Sequence, residues 1–293
     1  MQELTIVQTV ADLESDTRLD PVVTQANRLY STLFASRRLR DLLHGVPLGH
    51  PLHPLAVQVP LGAFTSSAVL DLFPKTARQS KLLVGLGIVS AIPSIAAGWV
   101  DWLSLHRQQQ RVGIVHAAAN ATAVGLYVIS YLQRGRGHQA SGRLFGYAGL
   151  AVMSIGGYLG GHLAYRQASG ANHAEDVPHL MPSGWQVLAP LEELPDGELS
   201  TMDVAGQPLL VLRRGHAVSV LSNTCSHLSG PLNQGELVDE ESGSTCVSCP
   251  WHGSVFDVET GAVVHGPATS PQPRFITRVQ DGVVQVQLPG ADG

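Results

Sequence analysis

Cys225-Ser-His227-Leu-Ser-Gly-Pro-Leu232 and Cys249-Pro-Trp-His252-Gly-Ser-Val-Phe256-Asp257, with twenty-one residues between His227 and Cys249, decide how the C-terminal third of this 293-residue chain is read. Each stretch offers one thiolate and one imidazole, both good donors for transition metals. One reading is a zinc site: Cys225, His227, Cys246, Cys249 and His252 contain enough donors, and Cys246-Val-Ser-Cys249 has a zinc-like Cys-x-x-Cys spacing. Against zinc, structural sites favour Cys-x₂₋₄-Cys knuckles over Cys-x-His. Zinc also gives no reason for Trp251, Gly253, Ser254 and Phe256 to stand beside the donors.

Together with Gly266-Pro267-Ala268, the two stretches resemble the Rieske [2Fe–2S] domain, and the resemblance covers residues 184–290. It implies that Cys225 and Cys249 hold one iron, His227 and His252 the other, and that a third loop with Pro267 covers the cluster. Neutral imidazoles in place of thiolates remove negative charge, so the reduced state costs less and the potential rises. The resemblance also implies two tuning positions. Ser254 can donate a hydrogen bond to cluster sulfur, which raises the potential. Respiratory relatives carry a tyrosine where this chain has Phe256, so a potential below the respiratory type is expected. Those relatives also carry an extra cysteine in each cluster loop, and the two form a disulfide. Here Leu228-Ser229 and Trp251 stand in the loops, as in the ferredoxin-like branch. The chain has only three cysteines, Cys225, Cys246 and Cys249, and no disulfide framework, which fits a reducing compartment.

Charged residues make up 14% of the chain and net charge is −5, against about 25% charged residues in a typical soluble domain. Nucleic acid is not an expected partner. The deficit is uneven: residues 82–100, 112–133 and 144–165 contain no Asp, Glu, Lys or Arg. Four apolar segments, 54–73, 82–103, 112–132 and 144–165, are each about 20 residues long, enough to cross a hydrocarbon core of about 30 Å. Gly156 and Gly160, four apart, allow close helix approach. His50-Pro-Leu-His53-Pro-Leu and Gly160-Gly-His162-Leu-Ala-Tyr-Arg166 resemble an uncharacterised family of four-helix bacterial membrane domains. The expected architecture is multidomain: an all-α four-helix transmembrane bundle followed by an all-β Rieske-type domain. Its parts are an N-terminal segment (1–49), the membrane domain (50–168), a linker (169–183) and the iron–sulfur domain (184–290). Residues 20–44 read as one basic amphipathic helix, with Asp20 as N-cap, Pro21 in the first turn and Gly45 as the stop.

Alternating spans bring His50, His53, Asp101, His106, His116 and His162 to one face of the bundle, with Asn120 one turn below His116. Ionisable groups inside spans are functional candidates. His116 and His162 either face each other around a haem b, a metal or a quinone, or bond to backbone and headgroups. His50 and His53 are weaker candidates, because a following proline holds each in an extended segment outside the helix.

Four spans place both termini on one side. The Lys and Arg count is six against six, so it does not choose a side. The first twenty residues contain Glu3, Asp12, Glu14, Asp16 and Asp20 and do not read as a secretory signal, so the expected location is the cell membrane, multi-pass, with a cytoplasmic iron–sulfur domain. The expected function is single-electron transfer with a reductase, oxidase or oxygenase partner. A Rieske oxygenase needs a large mononuclear-iron domain after the cluster, and only 293 − 252 = 41 residues follow His252. The chain is therefore read as a component of an oxidoreductase system rather than a complete enzyme. Two other readings are a redox- or iron-sensing membrane protein and a quinol-oxidising subunit.

Overall fold

Long uncharged aliphatic runs and short alternating strands divide the chain into two units in the computed structural model, which describes residues 5–240 and 243–289. One unit is Met1–Leu39 with Pro51–Ser169; the other is Arg40–His50 with Gly170–Gly293.

The first unit is helical. It contains α1 (Thr5–Ser15), α2 (Asp20–Leu33), α4 (Leu52–Ala56), α5 (Gln58–Leu70), α6 (Ala77–Leu103), α7 (Arg107–Gly135) and α8 (Gln139–Gly161), the last running on as a π-turn to Arg166. A further helix, α3 (Arg37–His44), begins at the end of this unit's first piece. Among the described residues, three helices are long and apolar enough to cross a membrane: Ala77–Leu103, Arg107–Gly135 and Gln139–Arg166. The first apolar segment is not one helix. Val57 separates α4 from α5, and α5 alone has 13 residues. Leu82, Val89 and Ile92 of α6 and Leu144 and Ile155 of α8 are exposed, an aliphatic surface suited to acyl chains.

Glycine seats bulky rings inside this bundle. Phe64 stacks on Tyr127 with centroids 3.6 Å apart. A Cβ on Gly87 would come within 2.4 Å of the Phe64 ring, and one on Gly149 within 3.0 Å of Tyr127. The Gly156/Gly160 pair works the same way: added Cβ atoms would lie 2.6 Å from the Asn120 amide and 3.1 Å from His116. Close helix approach here follows from polar side chains lodged over glycine.

The expected single helix over 20–44 is two. It breaks after Leu33, where Phe34 turns inward and Tyr30 stacks on Trp99 at 3.8 Å. Ser36 Oγ then accepts from the Leu39 amide at 3.4 Å, beginning α3. Asp20 does not cap α2. It is the first helical residue, and its carboxylate takes two bonds from Arg111 at 2.8 and 2.9 Å. Gly45, at φ +89°, does end α3, as read.

The second unit holds the strands. β1 (Gln186–Pro190), β2 (Leu199–Val204), β3 (Gln207–Arg214), β4 (Ala217–Ser222), β9 (Arg274–Gln280) and β10 (Val283–Gln287) form a six-stranded sheet ordered β1-β10-β9-β4-β3-β2. β5 (Glu236–Asp239), β6 (Thr245–Ser248), β7 (Val255–Asp257) and β8 (Val263–His265) form a second sheet in sequence order. All pairings between neighbouring strands are antiparallel. The Leu209-Leu-Val-Leu212 run is continuously apolar because both faces of β3 are covered. Leu209 and Val211 enter one core with Val220, Phe275 and Val284, while Leu210 and Leu212 enter another with Phe256, Cys225 and Cys249. Asp281 and Gly282, at φ +51° and +77°, make the hairpin turn between β9 and β10. The stretch read as a linker places Ala174, Val177 and Met181 in the first of these cores, around a short helix α9 (Val177–Leu180).

Candidate metal centre

Two loops bring the sequence's Cys-His pairs together. The first leaves β4 and reaches Pro231. In it the Cys225 amide donates to Gly230 O and the Ser229 amide to Cys225 O, both at 2.9 Å, closing a tight turn in which Ser229 takes φ +63°. The second joins β6 to β7. There the Cys249 amide donates to Ser254 O at 2.8 Å and the Gly253 amide to Cys249 O at 3.1 Å, with Gly253 at φ +74°. Each turn buries its cysteine and carries its histidine at the tip: Cys225 and Cys249 are buried, His227 and His252 are part-exposed.

The two imidazoles lie edge to face with centroids 5.1 Å apart. The two thiols set each other's acidities apart. Cys249 is lowered, first by the Cys225 thiol and then by the Trp251 and His252 amides. Cys225 is raised by the Cys249 thiol and by burial. Gly230 makes room for this pair, since a Cβ there would fall 2.7 Å from Cys249 Sγ. Among the described residues no three His, Cys, Asp or Glu side chains converge on one metal position. The donors come as two thiols and two imidazoles, the division that a two-iron centre with mixed ligands requires, so the residues present fit a [2Fe–2S] group. Cys246 lies outside this arrangement. It is buried in β6 opposite Val238 and Asp257, with its sulfur 3.8 Å from Ser244 Oγ.

Ser254 and Phe256, the two residues expected to tune a cluster, are both fully buried beside the second cysteine loop. Phe256 is fully buried in the same core as Cys225 and Cys249. Ser254 Oγ accepts from the Ala268 amide at 3.0 Å, so it also ties the Gly266-Pro267-Ala268 loop to the second cysteine loop. Sequence reasoning missed Gln272, which stands between two prolines and gives no signal of its role. Its Oε1 accepts from the Ser226 amide at 2.8 Å, and its Nε2 donates to Ser222 O and Thr224 O at 3.1 and 2.8 Å. One buried side chain thus braces the first cysteine loop at three backbone points.

The membrane histidines are arranged differently from the expectation. His162 does not face His116. Its Nε2 lies 2.7 Å from Glu14 Oε1, so the proposed His116–His162 pair around a haem is not formed. His116 meets His53 instead, with ring centroids 6.4 Å apart. Each donates from Nδ1 to a helix carbonyl at 2.8 Å, His53 to Ser94 O and His116 to Gly156 O. His53 lies inside α4 rather than in an extended segment. His50 is exposed in the turn after Gly49.

Residues 184–280 match the family described as the Rieske [2Fe-2S] domain, and residues 49–173 match one described as a predicted membrane protein, DUF2231. The anthranilate 1,2-dioxygenase ferredoxin subunit of Burkholderia cepacia is 30% identical over 104 residues, which are 36% of this chain and 92% of that protein. Cholesterol 7-desaturase of Caenorhabditis elegans is 32% identical over 93 residues, 31% of this chain, and the match spans only 21% of the desaturase. Among solved structures, the ferredoxin of carbazole 1,9a-dioxygenase from Nocardioides aromaticivorans IC177 is 31% identical, with a TM-score of 0.33, covering 36% of this chain and 99% of the ferredoxin.

Proposed function

This chain belongs to the Rieske [2Fe–2S] family, and from that premise we propose that it is a membrane-anchored electron carrier serving a separate redox enzyme. Cys225 and Cys249 would hold one iron and His227 and His252 the other. The cluster supplies one reversible electron at a potential above that of an all-cysteine centre. The protein's own residues do the rest. The buried thiols keep solvent from the inner side, the Cys225 and Cys249 turns fix the donors, and the two part-exposed imidazoles give electrons an edge by which to enter or leave. Exposed Trp251 extends that edge with an apolar contact surface. The reading is carried by the convergence of both Cys-His pairs in a domain that matches ferredoxin subunits along nearly their whole length. By analogy with those subunits, the partner is an oxygenase or a reductase, and the domain lies in the cytoplasm at residues 184–290.

We propose four membrane crossings, with α4 and α5 acting together as the first. His53 packs at the level of His116, and Asp71 pairs at the level of Arg134. On α7 these levels are 134 − 116 = 18 residues apart, roughly 27 Å at 1.5 Å per residue. That is close to the hydrocarbon thickness of about 30 Å.

The test is the intact protein purified in detergent. Dithionite reduction should produce the rhombic EPR signal of a reduced [2Fe–2S] centre. Cys225→Ser or Cys249→Ser should abolish it, and Cys246→Ser should leave it. A colourless protein with one tightly held zinc would overturn the reading.

A further inference from the structure

The stretch that precedes the apolar helices takes part in the iron–sulfur domain. Residues 40–50 cluster with 170–293, although they lie outside the 184–280 family match. The contact is specific. Asp41 Oδ1 accepts from the Gly266 amide at 3.0 Å, and Asp41 Oδ2 lies 2.8 Å from His265 Nδ1. The other nitrogen of His265 faces Glu240 Oε2 at 3.4 Å, so this imidazole stands between two carboxylates. Gly266 packs so closely on the stretch that a Cβ would come 3.0 Å from His44 and 3.1 Å from Val46. All three partners are sheltered, with side-chain exposures of 17% for Asp41, 21% for His265 and 19% for Glu240. Next in the chain is Pro267, then Ala268, whose amide is held by Ser254.

We propose that Asp41 is a positioning residue for the cluster: through His265 and the Gly266 amide it clamps the Gly266–Ala268 loop against the cysteine loops. The inference rests on the cluster reading above. The family match contains the loop but not this clamp, which the chain supplies from a segment ahead of its apolar helices. Two anchors therefore hold the loop from opposite ends, Asp41 at Gly266 and Ser254 at Ala268. A loop held at only one end would sample positions farther from the centre and admit water to it.

The experiment compares full-length wild type, Asp41→Ala and Asp41→Asn in detergent by hydrogen exchange over residues 263–268 and by redox titration of the centre. Asn retains an acceptor for the Gly266 amide; Ala does not. Asp41→Ala should lower protection of the Gly266 amide by about tenfold, the equivalent of losing one charge-assisted bond, and should shift the midpoint. Asp41→Asn should keep most of the protection. A second variant approaches from the other side: Gly266→Ala should reduce protection of residues 40–50, and adding Val46→Ala should restore part of it. Unchanged exchange in both Asp41→Ala and Gly266→Ala would overturn the clamp. Exchange that responds while no cluster signal appears even in wild type would retain the contact and remove the cluster reading.

Discussion

Asp71 and Arg134, 63 residues apart in sequence, form a buried ion pair with side-chain exposures of 2% and 0%. The pair gathers four helices. Asp71 caps the end of α5, Ser80 of α6 donates to Asp71 Oδ1 at 2.7 Å, and Arg134 of α7 bonds Ser80 Oγ at 2.9 Å. Ser130, one turn back on α7, donates to Gly142 O of α8 at 2.6 Å and receives Arg134 Nε at 3.1 Å.

Removing one member of a buried pair leaves an uncompensated charge, at a cost of about 3–5 kcal/mol. Arg134→Leu or Asp71→Leu should therefore lower the unfolding midpoint in detergent sharply. The double variant should recover much of the loss, because the orphaned charge is gone. Additive losses in the double variant would show that the two side chains do not interact.

The potential should respond to both residues flanking the second cysteine loop. A hydroxyl donating to cysteine sulfur stabilises the more negative, reduced cluster. Phe256→Tyr should raise the midpoint by roughly 40 mV if the new bond contributes about 1 kcal/mol. Ser254→Ala should lower it and also strand the Ala268 amide, so the loop should exchange faster as well. Potentiometric EPR titration measures the first effect and hydrogen exchange the second. Unmoved midpoints in both variants would mean that neither position reaches the cluster.

Crossing number is decided by reporter fusions. With four crossings, fusions after residue 289 should report cytoplasmic, and fusions near Arg78 or Arg136 external. With three crossings, fusions in the N-terminal helices and at the C-terminus should report opposite sides.

The two Cys-His pairs were legible because each cysteine lies within three residues of its histidine, so local spacing carries the pattern. Apolar runs at β1, β3, β4, β9 and β10 are long enough to read as strands in the sequence, whereas β5 to β8, at three or four residues each, hold too little pattern. Helix 20–44 was misjudged because its amphipathic period runs through Phe34, whereas the chain turns there, with Phe34 buried and Tyr30 stacked on Trp99. The His116–His162 pairing failed for a similar reason. Matching depth along two helices was readable, but the Glu14 carboxylate that takes His162 comes from 148 residues away. Gln272 and Asp41 left no local signal at all, because their partners are fixed only by the fold.

The clamp at Asp41 has a consequence for biosynthesis. Asp41 and His265 are separated by 224 residues, and every apolar helix is encoded between them. At about 5–20 residues per second, a ribosome needs roughly 11–45 s to make that interval. The first piece of the iron–sulfur domain is thus made before any of those helices and waits, unpaired, through the synthesis of all of them. Closure of the domain belongs to the end of translation.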